Sequence, residues 1–216
     1  RSPLTVIKTS VDVMLTHPER IHPADAKKFE GIASALKQMT RLVEDLLILA
    51  RTDAGDNTPN VEWISIPLDE LLEDLADTLS PQALAKGITL KCNLKTEVFV
   101  KGDAFLLKRL FSNLLENALN YTPTGGIVTI SLQQQERFAA VYVEDTGIGI
   151  AEEHIPLAFD RLWRADKARS RREGGSGLGL AIAQGIVQQH QGQISVTSEL
   201  GVGSCFQVLL PLVASN

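Results

Sequence analysis

Long apolar runs are missing from this chain. No stretch reaches the roughly 18 residues that a membrane helix needs, so no spanning segment is expected within its 216 residues. A secretory signal pattern is missing too: Arg1 leads straight into helical sequence, which suggests a chain cut from something longer. There is no excess of positive charge. Lys and Arg number 21 against 26 Asp and Glu, a net charge of −5, which argues against nonspecific binding to nucleic acid. Cysteine is scarce, with Cys92 and Cys205 far apart in strand-like stretches, so two buried thiols in a reducing compartment are expected rather than a disulfide or a metal pair. No internal repeat or low-complexity tract occurs. What the chain does hold is 44% hydrophobic residues, ample for a packed core and enough length for one large or two small domains.

The two parts of the chain have different periods. Leu4, Ile7, Val11 and Met14 recur at alternating three- and four-residue steps, and so do Phe29, Ile32, Leu36, Met39, Val43, Leu46 and Ala50. This is heptad spacing, the pattern of bundles and coiled coils. Pro18 and Pro23 break the two helices apart. The spacing predicts a helical hairpin over 1–51 whose long apolar seam is buried by pairing with a second copy, as a dimeric four-helix bundle. The alternative is a hairpin packed on the rest of its own chain. Thr52–Asn60 holds Gly, Pro, Asp and Asn without apolar period and reads as a linker. From 61 to 216 the pattern alternates. Strands are expected at Val61–Ile66, Ile88–Leu94, Glu97–Val100, Ile127–Gln133, Phe138–Glu144, Gln193–Thr197 and Ser204–Leu210. Helices are expected at Leu68–Lys86, Ala104–Asn120 and Gly177–Gln191. Adjacent strand pairs point to an α+β sandwich, one mixed sheet with helices on one face.

Three segments carry chemistry. Asn113, Asn117 and Asn120 step by four and three, so they share one stripe of a helix. Asparagine is a mediocre helix former, and its carbonyl is a hard oxygen ligand that suits Mg²⁺. A solvated polar face is the plainer reading. Asp145 ends an apolar strand and precedes Thr146-Gly147-Ile148-Gly149. A carboxylate only accepts, so it can take the exocyclic amine of adenine and disfavour guanine. The plainer reading is a strand-ending turn. Gly175-Ser176-Gly177-Leu178-Gly179-Leu180 opens a helix with free amides, which with the helix dipole favour phosphate. A dinucleotide fingerprint would need its glycines early, after a first strand; these come late. Before them Arg161, Arg164, Lys167, Arg169, Arg171 and Arg172 crowd one stretch of an acidic chain. Near a triphosphate such cations would offset charge. Arg161 and Arg164 are the stronger candidates, with Phe159, Leu162 and Trp163 as neighbouring anchors.

The order and spacing of these segments resemble the sensor histidine kinases of bacterial two-component systems, over nearly the whole chain. Asn113–Tyr121 resembles the N box, Asp145–Gly149 the first glycine box and Phe159–Arg164 the F box. Gly175–Leu180 resembles the second glycine box and Gly203–Phe206 the last box. The helical hairpin resembles the dimerisation and histidine-phosphotransfer domain. The resemblance implies a Bergerat-type ATP fold over 61–216, with Mg²⁺ and ATP as cofactors. It implies Asp145 on the adenine amine, Asn113 on Mg²⁺, Asn117 near the phosphates and Arg164 near the γ-phosphate. Tyr121, Gly147, Gly149, Arg161, Gly175, Ser176, Gly177, Leu178, Gly179 and Leu180 would complete the nucleotide site. Asn120 stands where many members carry Lys or Arg, and Cys205 where threonine is common.

The resemblance further implies a cytoplasmic kinase core of a homodimer, in a full-length protein anchored at the membrane. It would phosphorylate a histidine and then an aspartate of a response-regulator receiver domain. Arg1-Ser2-Pro3-Leu4-Thr5 resembles the tail of the phospho-acceptor box, which sets that histidine and its acidic neighbour before Arg1. Ser2 falls where members that dephosphorylate their regulator carry a hydroxyl or amide. His17, His22, His154 and His190 lack the acceptor context. Two other readings stand beside the kinase: a nucleotide-sensing dimeric scaffold without phosphotransfer, and a conformational ATPase like gyrase or MutL.

Overall fold

The computed structural model describes residues 3–17, 21–22, 25–53, 63–94, 97–163 and 176–213. The chain divides into two compact units, Arg1–Ala50 and Arg51–Asn216.

The first unit holds α1 (Pro3–Leu15) and most of α2 (Ala26–Asp53). α2 runs through Thr52 and Asp53, which the linker pattern claims, because no Gly or Pro stands between Ala50 and Asp53 to stop it. The rest of that linker, 54–60, lies outside the described residues. Of the expected seam, Val11 and Leu36 are buried and Phe29 is half-buried, while Ile7, Met14, Ile32, Met39, Val43 and Leu46 are exposed.

The second unit begins with β1 (Ile64–Pro67), α3 (Leu68–Ala85), β2 (Thr89–Asn93), β3 (Phe99–Gly102) and α4 (Ala104–Tyr121). It continues with β4 (Ile127–Gln135), β5 (Phe138–Asp145), a 3₁₀ turn (Glu152–Leu157), α5 (Gly179–Gln189), β6 (Gln193–Glu199) and β7 (Gly203–Pro211). Five strands form a mixed sheet in the order β2-β4-β5-β7-β6. Only β2 and β4 run parallel; the other neighbours are antiparallel. The expected single sheet is instead two. β1 and β3 pair with each other as a separate antiparallel ribbon. A lone bridge between Val100 and Leu212 links it to the chain after β7. The ribbon meets the large sheet only where β7 has run out, with Val213 donating to the Phe99 carbonyl at 3.0 Å.

Alternation explains the two layers. Val128, Ile130 and Leu132 of β4, Val141 and Val143 of β5, and Phe206, Val208 and Leu210 of β7 are buried on one face. α3, α4 and α5 cover that face, with α3 packing on β2, α4 on β4 and β5, and α5 on β6 and β7. α4 contributes Leu107, Leu110, Leu114 and Ala118, the residues its spacing marks as inward. The opposite face is polar, and Gln135 and Gln207 both donate to the Tyr142 hydroxyl across it, at 2.7 and 2.9 Å.

The position of α4 is set at its start. The Asp103 carboxylate accepts from the Phe105 and Leu106 amides at 2.8 and 3.2 Å, an N-cap. The Asp103 amide in turn donates to Nε2 of His190 at 3.2 Å. That assigns the ring proton to Nδ1, which donates to the Ile186 carbonyl at 2.8 Å. Trp63 stacks on the same imidazole with ring centroids 4.8 Å apart. Burial holds the His190 pKa below the usual histidine value. So one neutral, buried histidine ties the first turn of α4 to the last turn of α5.

Candidate nucleotide site

α4 presents the three asparagines on the stripe their spacing predicts, though they are not equally exposed. Asn113 is 4% exposed, and its Nδ2 donates to the Gly179 carbonyl at 3.1 Å, where α5 begins. Asn117 and Asn120 are half-buried further along, and Tyr121 is exposed at the helix end. The stripe is therefore no solvated face: its first member is fixed against the start of the helix that opens after the second glycine segment.

Asp145 closes β5 half-buried, its Oδ1 accepting from the Gly147 amide at 2.8 Å. Burial raises its pKa above the ordinary carboxylate range, against the pull of backbone hydrogen bonds from Gly147 and Ser204. The turn that follows is laced to its neighbours on two sides. Ile148 donates to the Tyr121 carbonyl at 3.1 Å, which joins the turn to the end of α4. Gly201 donates to the Ile148 carbonyl at 2.8 Å, and Ile150 to the Ser198 hydroxyl at 2.8 Å. Gly149 sits at φ +67° against the Glu199 carbonyl, where a Cβ would collide with backbone. The β6–β7 hairpin thus holds the Asp145 turn in place. Sequence pattern alone did not assign Ser198, Glu199 or Gly201 to the site. Their signal is weak, since a polar residue and a glycine in a hairpin are ordinary.

The glycine segment before α5 is described from Ser176. α5 begins at Gly179, two residues later than the pattern predicts, because Gly177 has φ +71° and cannot lie in the helix. Gly177 accepts from the Leu162 amide at 2.9 Å, and a Cβ there would press on Leu162 backbone. The Ser176 hydroxyl accepts from the Leu178 amide at 3.2 Å. Leu178 is buried, while Gly179 and Leu180 open the first turn of α5 half-buried. Phe159 meets Phe206 edge to face at 6.4 Å, and Trp163 meets His154 at 5.4 Å. These two rings anchor the segment as expected. Leu162 does not: its side chain is 68% exposed, and only its backbone is held. Arg161 sits on the exposed turn beside it. Arg164, Gly175 and Ser2 lie outside the described residues, as do Lys167, Arg169, Arg171 and Arg172.

Two ends are therefore built around one stripe. At the last turn of α4 lie Asp145, Gly147 and Tyr121. At Asn113 lie Gly179 and the start of α5. A carboxylate acceptor at one end and a helix start with free amides at the other suit a purine base and its phosphates.

A family model described as histidine kinase-, DNA gyrase B- and HSP90-like ATPase matches residues 102–214, just over half of the chain. The chain belongs to this ATPase family. The match runs from the end of β3 through β7 and so takes in every described element of the site. Among curated relatives, the sensor histidine kinase RppB of Synechocystis sp. is 38% identical over 213 residues, covering 98% of this chain and 46% of that protein. The sensor histidine kinase CusS of Escherichia coli is 35% identical over 211 residues, covering 98% of this chain and 43% of that protein. The chain spans less than half the length of these relatives. Among solved structures, the mycobacterial sensor histidine kinase MprB is similar with a TM-score of 0.60 and 26% identity, over 71% of this chain and 99% of that one. The layered fold of this ATPase, and binding of ATP, follow from the family. No helix among the described residues is long and apolar enough to cross a membrane.

Proposed function

We propose that this chain is the cytoplasmic kinase core of a two-component sensor histidine kinase, an ATP-dependent transferase in signal transduction. The observation that carries the reading is the joint placement of Asp145 and Asn113. Asp145 lies by the turn joined to Tyr121 at one end of the α4 stripe, and Asn113 meets the opening of α5 at the other, which supports a base at the first and phosphates at the second. The relatives supply the class, since they are sensor histidine kinases across nearly all of this chain.

Each residue takes a role that its surroundings allow. Asp145 accepts from the exocyclic amine. Gly147 and Gly149 shape the turn under the base, and Tyr121 flanks it. Asn117 faces the phosphates. Gly177 and Leu178 lead into the first turn of α5, whose Gly179 and Leu180 offer amides to them. Ser176, Gly175, Arg161 and Arg164 are assigned to the γ-phosphate end by the pattern of the sequence. Asn113 would hold Mg²⁺ through its amide oxygen, a hard ligand, while its nitrogen donates to the Gly179 carbonyl. When bound, that ion neutralises charge on the phosphate oxygens. Transfer then depends chiefly on positioning and charge neutralisation.

The acceptor is a histidine that the Arg1–Thr5 pattern sets before Arg1, and the phosphoryl group passes on to a response-regulator aspartate. Ser2 would serve the reverse, phosphatase reaction. The unit Arg1–Ala50 supports a homodimer: Ile32, Met39, Val43 and Leu46 of one helix stand exposed at heptad spacing. Packed against a second copy, they complete a four-helix bundle. The longer protein would be anchored at the inner face of the membrane.

The test uses labelled ATP on this chain and on one extended by its native upstream residues. The extended chain should gain an acid-labile, base-stable label, and this chain should bind ATP without gaining any. His190 illustrates why: both of its ring nitrogens are engaged and the ring is buried. ATP binding with no label on the extended chain would favour the scaffold without phosphotransfer. Label on this chain would mean that the acceptor is one of its own four histidines.

A further inference from the structure

Beside the α4 stripe lies a cation that no motif contains. Lys86 is the C-terminal cap of α3, and its ammonium reaches across to the last turn of α4. It donates to Asn120 Oδ1 at 2.7 Å and to the Leu119 carbonyl at 3.1 Å, partly buried. The backbone around it is held firmly. Gly125 donates to the Gly87 carbonyl at 2.8 Å, and Thr89 to the Gly126 carbonyl at 3.0 Å, so the end of α3 is docked on the loop after α4.

We infer that Lys86, through its pairing with Asn120, is a binding residue for the phosphate nearest the nucleoside. The inference rests on the nucleotide reading above. Asn113 and Asn120 are seven residues apart, so they share a face and stand about 10 Å apart along the helix. The base end of the site is fixed by Asp145, whose turn is joined to Tyr121. The phosphate end is fixed by Gly179 at Asn113. A nucleotide therefore runs back along the stripe from Tyr121 towards Asn113. It passes Asn120 first, where the sugar and the first phosphate must lie.

The chemistry of the pair fits an anion there. An ammonium has three donors, and two are spent on Leu119 and Asn120. The third remains for a phosphate oxygen. Because Asn120 Oδ1 is turned to Lys86, its Nδ2 hydrogens are left on the other side of the amide as two further donors. Helix capping alone accounts for the bond to the Leu119 carbonyl, but not for the orientation of Asn120. The charge also matters more here than on open surface, because the group is partly buried and screened less.

Calorimetry on this chain with ADP, AMP and adenosine, at low and high salt, tests the inference. Lys86→Gln keeps a donor for the two oxygens and removes the charge. It should bind ADP and AMP about tenfold more weakly at low salt, the worth of one charge-assisted hydrogen bond. Adenosine should change by less than about twofold, and the ADP deficit should shrink at high salt. Lys86→Arg should restore most of the ADP affinity. Equal weakening of ADP and adenosine, or a loss that salt does not reduce, would make Lys86 a structural cap and overturn the inference. So would ADP affinity unchanged in a Lys86→Gln variant that melts like the parent. A parent chain that binds none of the three would instead overturn the nucleotide reading itself.

Discussion

Replacing Asp145 by Asn should weaken nucleotide binding while leaving the empty protein at least as stable. The two effects have one cause. Oδ1 of Asp145 already accepts from the Gly147 amide at 2.8 Å. Asn can keep that bond through its own Oδ1, and its Nδ2 then stands where the second carboxylate oxygen was. In the proposed site this turns an amide donor toward the adenine amine, itself a donor. The charged hydrogen bond that is lost is worth about 1.5–3 kcal/mol, roughly 10- to 150-fold in Kd. The stability effect has the opposite sign. Burial raises the Asp145 pKa, so the folded state disfavours the charge relative to the unfolded chain. A raised carboxyl pKa contributes stability that is full below the unfolded value of about 4 and is lost as pH rises through the folded value. At pH 7 the ionised carboxylate is therefore a net cost, its desolvation outweighing the hydrogen bonds from the Gly147 and Ser204 amides, and Asn removes that cost. Calorimetry with a nonhydrolysable ATP analogue and a thermal melt without nucleotide check both sides. Parental binding should also weaken as pH falls toward the raised Asp145 pKa, whereas the variant should lack that arm. Unchanged affinity in Asp145→Asn would remove the carboxylate from base recognition. A lower melting temperature would refute the assignment of a desolvation cost.

Three further outcomes are expected. Asn113→Ala should cost most of the Mg²⁺ dependence of ATP binding, about tenfold, and leave adenosine affinity nearly unchanged; equal losses with and without Mg²⁺ would make Asn113 purely structural. Val43→Asp should give a monomer by sedimentation with the ATP-binding unit still folded, because Val43 is exposed in the single chain and the charge meets an apolar seam only in the pair. A parent chain that is itself monomeric at micromolar concentration would end the bundle proposal. His190 has a depressed pKa and accepts from the Asp103 amide. Its stability contribution is full above the unfolded histidine value of about 6.5 and is lost as pH falls from there toward the depressed folded value. The urea midpoint of the parent should drop from pH 7.5 to 5.5 more steeply than that of His190→Gln, and matching slopes would show that other groups carry the effect.

Much of the fold is legible in the sequence where a period is long and uninterrupted. The apolar steps in α4 mark Leu107, Leu110, Leu114 and Ala118, and all four are buried. The strand pairs β4–β5 and β6–β7 follow from short alternating runs on either side of turns. What local pattern does not carry is pairing between distant segments. β1 and β3 are short and far apart in sequence, so nothing in either shows that they pair as a ribbon outside the main sheet. Helix ends fail for a related reason. The start of α5 is set by the left-handed Gly177, whose backbone is held by Leu162, and that contact is tertiary.

The candidate site divides along the same line. Asn113, Asp145 and the glycines can be picked out because each is a residue type with few uses in its local element: an amide inside a helix, a carboxylate at an apolar strand end, glycine at positive φ. Lys86 cannot, since a lysine in the last turn of a helix before glycine is an ordinary solvated cap. Only when α3 docks on the loop after α4 does that cation meet Asn120, on the stripe that Asn113 begins. Ser198 and Glu199 are the same case, hairpin residues that become supports because Ile150 and Gly149 reach them. Residues whose chemistry is unusual for their element announce themselves in sequence. Ordinary residues become functional only through the neighbour that folding gives them, and the pH, salt and nucleotide dependences above are the measurements that separate the two kinds.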